Sequence, residues 1–116
     1  MPAITLYHNP NCSKSRQALA LLREKDVNLR IVDYLQEPPN AAEVRQILNA
    51  LNLRARQLMR TNESVYLQLN LDDTDLTETA LIDAMADHPI LIERPIALTD
   101  HGAVIGRPPE NVLTLL

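Results

Sequence analysis

Ala3-Ile4-Thr5-Leu6-Tyr7-His8-Asn9-Pro10-Asn11-Cys12-Ser13-Lys14-Ser15-Arg16 is the stretch whose reading decides the fold. Its apolar first half ends in the turn formers Asn9-Pro10-Asn11, so Ala3 to Tyr7 reads as a short buried strand. Its second half opens a helix expected over roughly Ser13 to Lys25, with Ala18, Leu19, Leu21 and Leu22 on one apolar face. Leu29 to Tyr34 then reads as a second strand. A strand, a helix and a strand with short connections predict a parallel pair joined by a right-handed crossover.

Working outward, Pro38-Pro39 stops regular structure and Asn40-Ala41-Ala42-Glu43 carries a variant of the capping box. Val44, Ile47, Leu48 and Leu51 follow at i, i+3, i+4 and i+7, the spacing of an amphipathic helix. Residues 54–69 predict one or two short helices, and Thr77 or Asp75 caps another that runs to about Asp87 and stops at Pro89. Ile96 to Leu98 and Ala103 to Ile105, joined through Asp100-His101-Gly102, read as a β-hairpin. Pro108 and Pro109 suit a first helical turn, which puts a last short helix over Glu110 to Leu116. The order is βαβ, a helical insert at about 40–88, then ββα. It predicts an α/β fold of thioredoxin-like pattern, a mixed four-stranded sheet with flanking helices in a single domain spanning 1–116.

Composition limits what such a domain does. Hydrophobic residues make up 46% of the 116, and the absence of Phe and Trp makes the core aliphatic. A net charge of −4 argues against a nucleic-acid binder, which carries a basic stripe. Arginines far outnumber lysines, and guanidinium forks suit tetrahedral oxyanions. There is no signal-peptide pattern and no apolar run long enough for a membrane span. A single cysteine cannot form an internal disulfide, so a reducing cytoplasm is expected.

That cysteine, Cys12, falls between the first strand and the first helix, where open α/β sheets gather their ligands. Unpaired backbone N–H groups and the helix dipole favour thiolate there. Lys14, Arg16 and a protonated His8 would add to the effect, and thiol pKa values at such sites fall from about 8.5 to as low as about 3.5. A lone cysteine is often a small buried hydrophobe, but every neighbour from Asn9 to Gln17 is polar, cationic or turn-forming. The spacing is C-x-x-S, Cys12 to Ser15, with no second thiol to resolve an oxidised intermediate. Position 18 is Ala, so the C-x5-R loop of thiol phosphatases is absent. An outside thiol must therefore release any adduct formed on Cys12.

With these residues in view, the chain resembles the glutaredoxin-dependent arsenate reductase family over nearly its whole length. The carrying segments are Tyr7 to Arg16, Leu58-Met59-Arg60, His88 to Ile96 and Gly106-Arg107-Pro108-Pro109. The resemblance implies Cys12 as nucleophile and Arg60, Arg94 and Arg107 as oxyanion-binding residues. It also implies that His8 lies near the thiol and lowers its pKa, with Ser15 as a further thiolate-stabilising residue, and that the Arg94-Pro95 bond is cis. The implied reaction reduces arsenate to arsenite. The Cys12 thiolate attacks arsenic as water leaves, and glutathione, the co-substrate, then attacks the thiol-linked arsenate. That step gives an arsenite-level adduct and a Cys12–glutathione mixed disulfide. Glutaredoxin removes the glutathione, and arsenite is released by hydrolysis.

Two other classes share the pattern. Spx-type transcription regulators use a C-x-x-C pair, against which Ser15 counts, and a glutathione-dependent thiol transferase would not need the three arginines. His88 is expected to end a helix and His101 to lie exposed in a turn. The three histidines and one cysteine lack zinc-ligand spacing, so no metal is expected. Two glycines leave no phosphate loop, so no tightly bound cofactor is expected either. The chain is expected to act as a monomer.

Overall fold

In the computed structural model, which describes residues 3–116, the chain divides into two compact units. One joins the residues through Glu37 to Arg94–Leu116, and the other is Pro38–Glu93.

The first unit holds β1 (Ala3–His8), α1 (Ser13–Arg23), β2 (Asn28–Asp33), β3 (Ile96–Thr99), β4 (Gly102–Ile105) and a 3-10 segment, Pro109–Leu115. The sheet order is β2-β1-β3-β4. β1 runs parallel to β2, from Ala3 opposite Asn28 to His8 opposite Asp33, and antiparallel to β3, where Leu6 faces Ala97. β3 and β4 form the expected hairpin, Ile96 opposite Ile105 and Thr99 opposite Gly102. Gly102 has φ 150°, a backbone conformation that side chains with a Cβ rarely adopt. Ile4 and Leu6 of β1, Ala18 and Leu22 of α1, Ala97 of β3 and Val112 of the 3-10 segment are buried in one cluster. The i, i+4 pair Ala18 and Leu22 places α1 on that cluster, and its N-terminus opens at the end of β1.

Several boundaries differ from the sequence reading by a residue or two: β1 extends to His8, β2 spans Asn28–Asp33, and the hairpin strands take in Thr99 and Gly102. α1 stops at Arg23 because the N–H of Lys25 bonds Leu22 O three residues back, at 3.1 Å, instead of continuing the i−4 ladder. The last segment is 3-10 throughout, with Asn111 N–H on Pro108 O and Leu116 N–H on Leu113 O. Periodicity over so few residues does not separate that winding from an α-helix.

The second unit is helical: α2 (Ala41–Leu51), α3 (Ala55–Leu58), α4 (Ser64–Gln68) and α5 (Glu78–Asp87), then a 3-10 turn, Pro89–Leu91. Asn40 Oδ1 accepts from Glu43 N–H at 2.8 Å while Glu43 Oε1 accepts from Asn40 N–H at 3.1 Å, so the capping box is complete. Thr77 caps α5, whose last ladder bond runs from the N–H of the C-cap residue His88 to Ala84 O. Val44, Ile47 and Leu48 of α2 are buried, as are Leu81, Ile82 and Met85 of α5, against which α2 packs. Beside them Met59 pairs antiparallel with Ile92, with Arg60 N–H on Leu91 O at 2.7 Å and Glu93 N–H on Leu58 O at 2.9 Å. Among the described residues no helix is long and apolar enough to cross a membrane.

Candidate active site

Cys12 is the N-cap residue of α1. Its own N–H donates to Asn9 O at 3.0 Å, closing the turn after β1, and its carbonyl accepts the first intrahelical bond, from Arg16 N–H at 3.0 Å. The side chain is half-buried. Partial burial pushes the thiol up from its ordinary value of 9.0, yet the net shift is downward. The N–H of Ser15 supplies the largest lowering, followed by a hydrogen bond from the Arg94 side chain, the N–H of Lys14 and the charge of Arg94. Arg107 adds a long contact, Nη2 to Sγ at 3.5 Å.

The two arginines arrive from opposite ends of the hairpin. Arg94 is two residues before β3 and Arg107 two residues after β4. Arg107 Nε donates to Arg94 O at 2.8 Å, which locks one guanidinium to the backbone that carries the other. The Arg94-Pro95 and Arg107-Pro108 bonds are both cis. Gly106 makes room for this crossing, because its N–H bonds Pro95 O at 2.8 Å and a Cβ there would meet Pro95 Cγ at 2.7 Å. Positive charge from two arginines is thus gathered at the sulfur.

His8 and Ser15 form a buried pair, Nδ1 to Oγ at 2.6 Å, and Ser15 Oγ also accepts from Asn9 N–H at 3.0 Å. Burial holds the His8 pKa below its ordinary 6.5 and outweighs the nearby Asp33 carboxylate, while Arg23 and Arg16 lower it further. At neutral pH the imidazole is therefore uncharged, and a protonated His8 adds nothing to the thiolate's stabilisation. What the ring holds is Ser15, whose backbone N–H does act on Cys12.

Arg60 lies in the second unit. Its Nη1 donates to Glu93 at 2.8 Å and its Nε approaches Glu63 at 3.4 Å. Its Nη2 makes no hydrogen bond among the described residues. No cluster of metal-ligating side chains occurs among the described residues.

A site of this kind offers a nucleophilic sulfur, backbone N–H groups and guanidinium donors, which together suit attack on an electrophilic centre surrounded by anionic oxygens. A family model described as the ArsC family matches residues 7–115. This chain belongs to the ArsC family. Two named relatives and one solved structure show how close the match is. A protein of Neisseria meningitidis serogroup B named arsenate reductase is 47% identical over 100% of both chains. Another of that name, from Escherichia coli, is 39% identical over 100% of this chain and 82% of its own. The solved structure titled arsenate reductase from Vibrio cholerae superposes with a TM-score of 0.95 at 44% identity, covering 99% of this chain and 98% of that one. That solved structure shares the thioredoxin-like arrangement of the sheet.

One residue of this ArsC-family loop escaped the sequence reading. Asn9 is only 4% exposed. Its Oδ1 accepts from Asn11 N–H at 3.0 Å, its carbonyl from Cys12 and its N–H reaches Ser15, so one residue ties three of the loop's positions together. Its Asx-turn chemistry was visible as a turn signal, but the burial that makes it structural was not.

Proposed function

We propose that this chain reduces arsenate to arsenite, with glutathione as co-substrate and glutaredoxin as the protein that regenerates it. The observation that carries the proposal is the Cys12 thiol, lowered from 9.0 and touched by both Arg94 and Arg107. Names of full-length relatives give the oxyanion its identity.

Arsenate oxygens dock on Arg94 and Arg107; for Arg60, in the second unit, the oxyanion-binding role is the one the family resemblance implies. The thiolate attacks arsenic, and one oxygen leaves as water with protons from arsenate and solvent. Fixed guanidinium and N–H donors stabilise the charge that develops on the oxygens. A glutathione thiolate then attacks Cys12 Sγ. An S–S bond forms, the S–As bond breaks, and its electron pair stays on arsenic, which falls from the +5 to the +3 state and leaves as arsenite, without the later hydrolysis that the family resemblance implies. A glutaredoxin thiolate takes the glutathione by exchange and returns Cys12 as thiolate. Neutral His8 and Ser15 hold the loop in the shape that stabilises the thiolate. A single thiol with this chemistry belongs in a reducing cytoplasm, and the chain acts there as a monomer.

The test couples arsenate, glutathione and glutaredoxin to NADPH consumption through glutathione reductase. Wild-type chain sustains turnover and Cys12→Ser does not. Turnover that survives Cys12→Ser, or none with wild type, defeats the reading.

A further inference from the structure

Cys12 is the only thiol of the chain, so the reductant comes from outside it. A cavity of about 490 Å³ in the first unit is lined by His8, Pro10, Arg16, Leu19, Ala20 and Arg23. Four of these lie on α1 at i, i+3, i+4 and i+7, a stripe that begins one turn earlier at the N-cap residue Cys12. Pro10, Leu19 and Ala20 make an apolar floor, with the two guanidinium groups at its ends. Arg16 spends one donor on Pro10 O, at 3.0 Å. Arg23 makes no hydrogen bond or ion pair with any described residue. Both arginines lower the pKa of His8, so their charges bear on the same side chain.

We propose that this groove is where glutathione docks before it reaches Cys12, one carboxylate on Arg16 and the other on Arg23, with the tripeptide backbone over Leu19 and Ala20. Charge complementarity selects the occupant: two cations face a ligand with a carboxylate at each end. Length agrees as well. Seven residues of helix rise about 10 Å, which is about the span of an extended tripeptide. The protein as a whole is anionic, at −4, so a local cationic groove is what draws an anionic thiol to this helix. The assignment rests on the reductase reading for its purpose, but binding is measured without turnover.

The experiment titrates S-methylglutathione, which lacks a free thiol, into the nitrogen-labelled full chain and follows backbone amide shifts. Shifts centred on Arg16, Ala20 and Arg23 are expected, weakened in Arg23→Gln and in Ala20→Glu, an exposed site where Glu is a good helix former. In the coupled assay each variant raises the KM for glutathione about five- to tenfold, from loss of a charge-assisted contact or gain of a repulsive one. The KM for arsenate stays unchanged. Shifts elsewhere, or unaltered binding in both variants, overturn the proposal. So does a raised KM for glutaredoxin with that for glutathione unchanged, which would give the groove to the protein partner. A wild-type chain that binds the probe here but shows no arsenate turnover would leave the groove standing and sink the reductase reading instead.

Discussion

At the residue scale the thiol and its arginines make distinct predictions. Arg94 lowers the Cys12 pKa both by hydrogen bond and by charge. Because the thiolate is the reactive form, kcat/KM for arsenate rises with pH through the lowered thiol pKa and levels off above it. Arg94→Ala moves that rise upward, towards 9.0, and cuts the plateau by about 10²-fold through loss of an oxyanion donor. Ultraviolet titration of the thiolate checks the first effect and initial rates the second; an unmoved profile would detach Arg94 from the sulfur. His8 makes a stability prediction. Its pKa is 6.5 unfolded and lower when folded, so between those two values the unfolded chain binds more protons. Stability is full above 6.5 and is lost as pH falls through the folded pKa. Urea midpoints measured at descending pH should therefore fall less steeply for His8→Asn than for wild type. The sequence made Cys12 and Ser15 legible because a lone thiol among polar neighbours at a strand–helix junction has few other uses. It misjudged the charge on His8, since the burial that removes it comes from the folded chain around β1.

At the scale of elements, hydrophobic spacing located every strand and helix of the first unit, while the C-terminal end of α1 and the winding of the last segment were set by individual hydrogen bonds. The convergence of Arg94 and Arg107 was half legible. A hairpin necessarily returns its two flanks to one end of the sheet, but the Arg107 Nε bond to Arg94 O and the cis bond at Arg107-Pro108 left no mark in the sequence. Gly106 is the element on which that crossing depends. In Gly106→Ala the new methyl would lie 2.7 Å from Pro95 Cγ and 3.1 Å from Val112 Cγ1. Something packed must move, at a cost of about 1–3 kcal/mol. Since Pro95 follows Arg94 and Gly106 precedes Arg107, the movement reaches both guanidinium groups. The variant is expected to lose stability in urea and also to raise the Cys12 pKa, and a stability loss with the thiol unshifted would show the arginines to be independently held.

At the scale of the molecule, the first unit is built from two ends of the chain, and β1 has β2 from one side of the sequence and β3 from the other. The sequence order βαβ, helices, ββα contains that closure in outline. Which residues of the final segment support α1 was not legible, because Val112, Leu113 and Leu115 follow a 3-10 path whose buried face an α-helical reading misplaces. Val112 is fully buried against Ala18 and Leu22, on the face of α1 away from solvent. Its part is packing: it makes no side-chain hydrogen bond to the thiol loop or to either arginine, and a smaller side chain there removes contacts without adding a clash. Val112→Ala should then cost about 1.5–3 kcal/mol, the value of a buried Val side chain, and lower the urea midpoint accordingly. Below that midpoint the Cys12 pKa and the arsenate KM should equal those of wild type, in contrast to Gly106→Ala. A Val112→Ala chain that is folded but has a raised thiol pKa would mean that the C-terminal segment sets the position of the helix N-terminus as well as its stability.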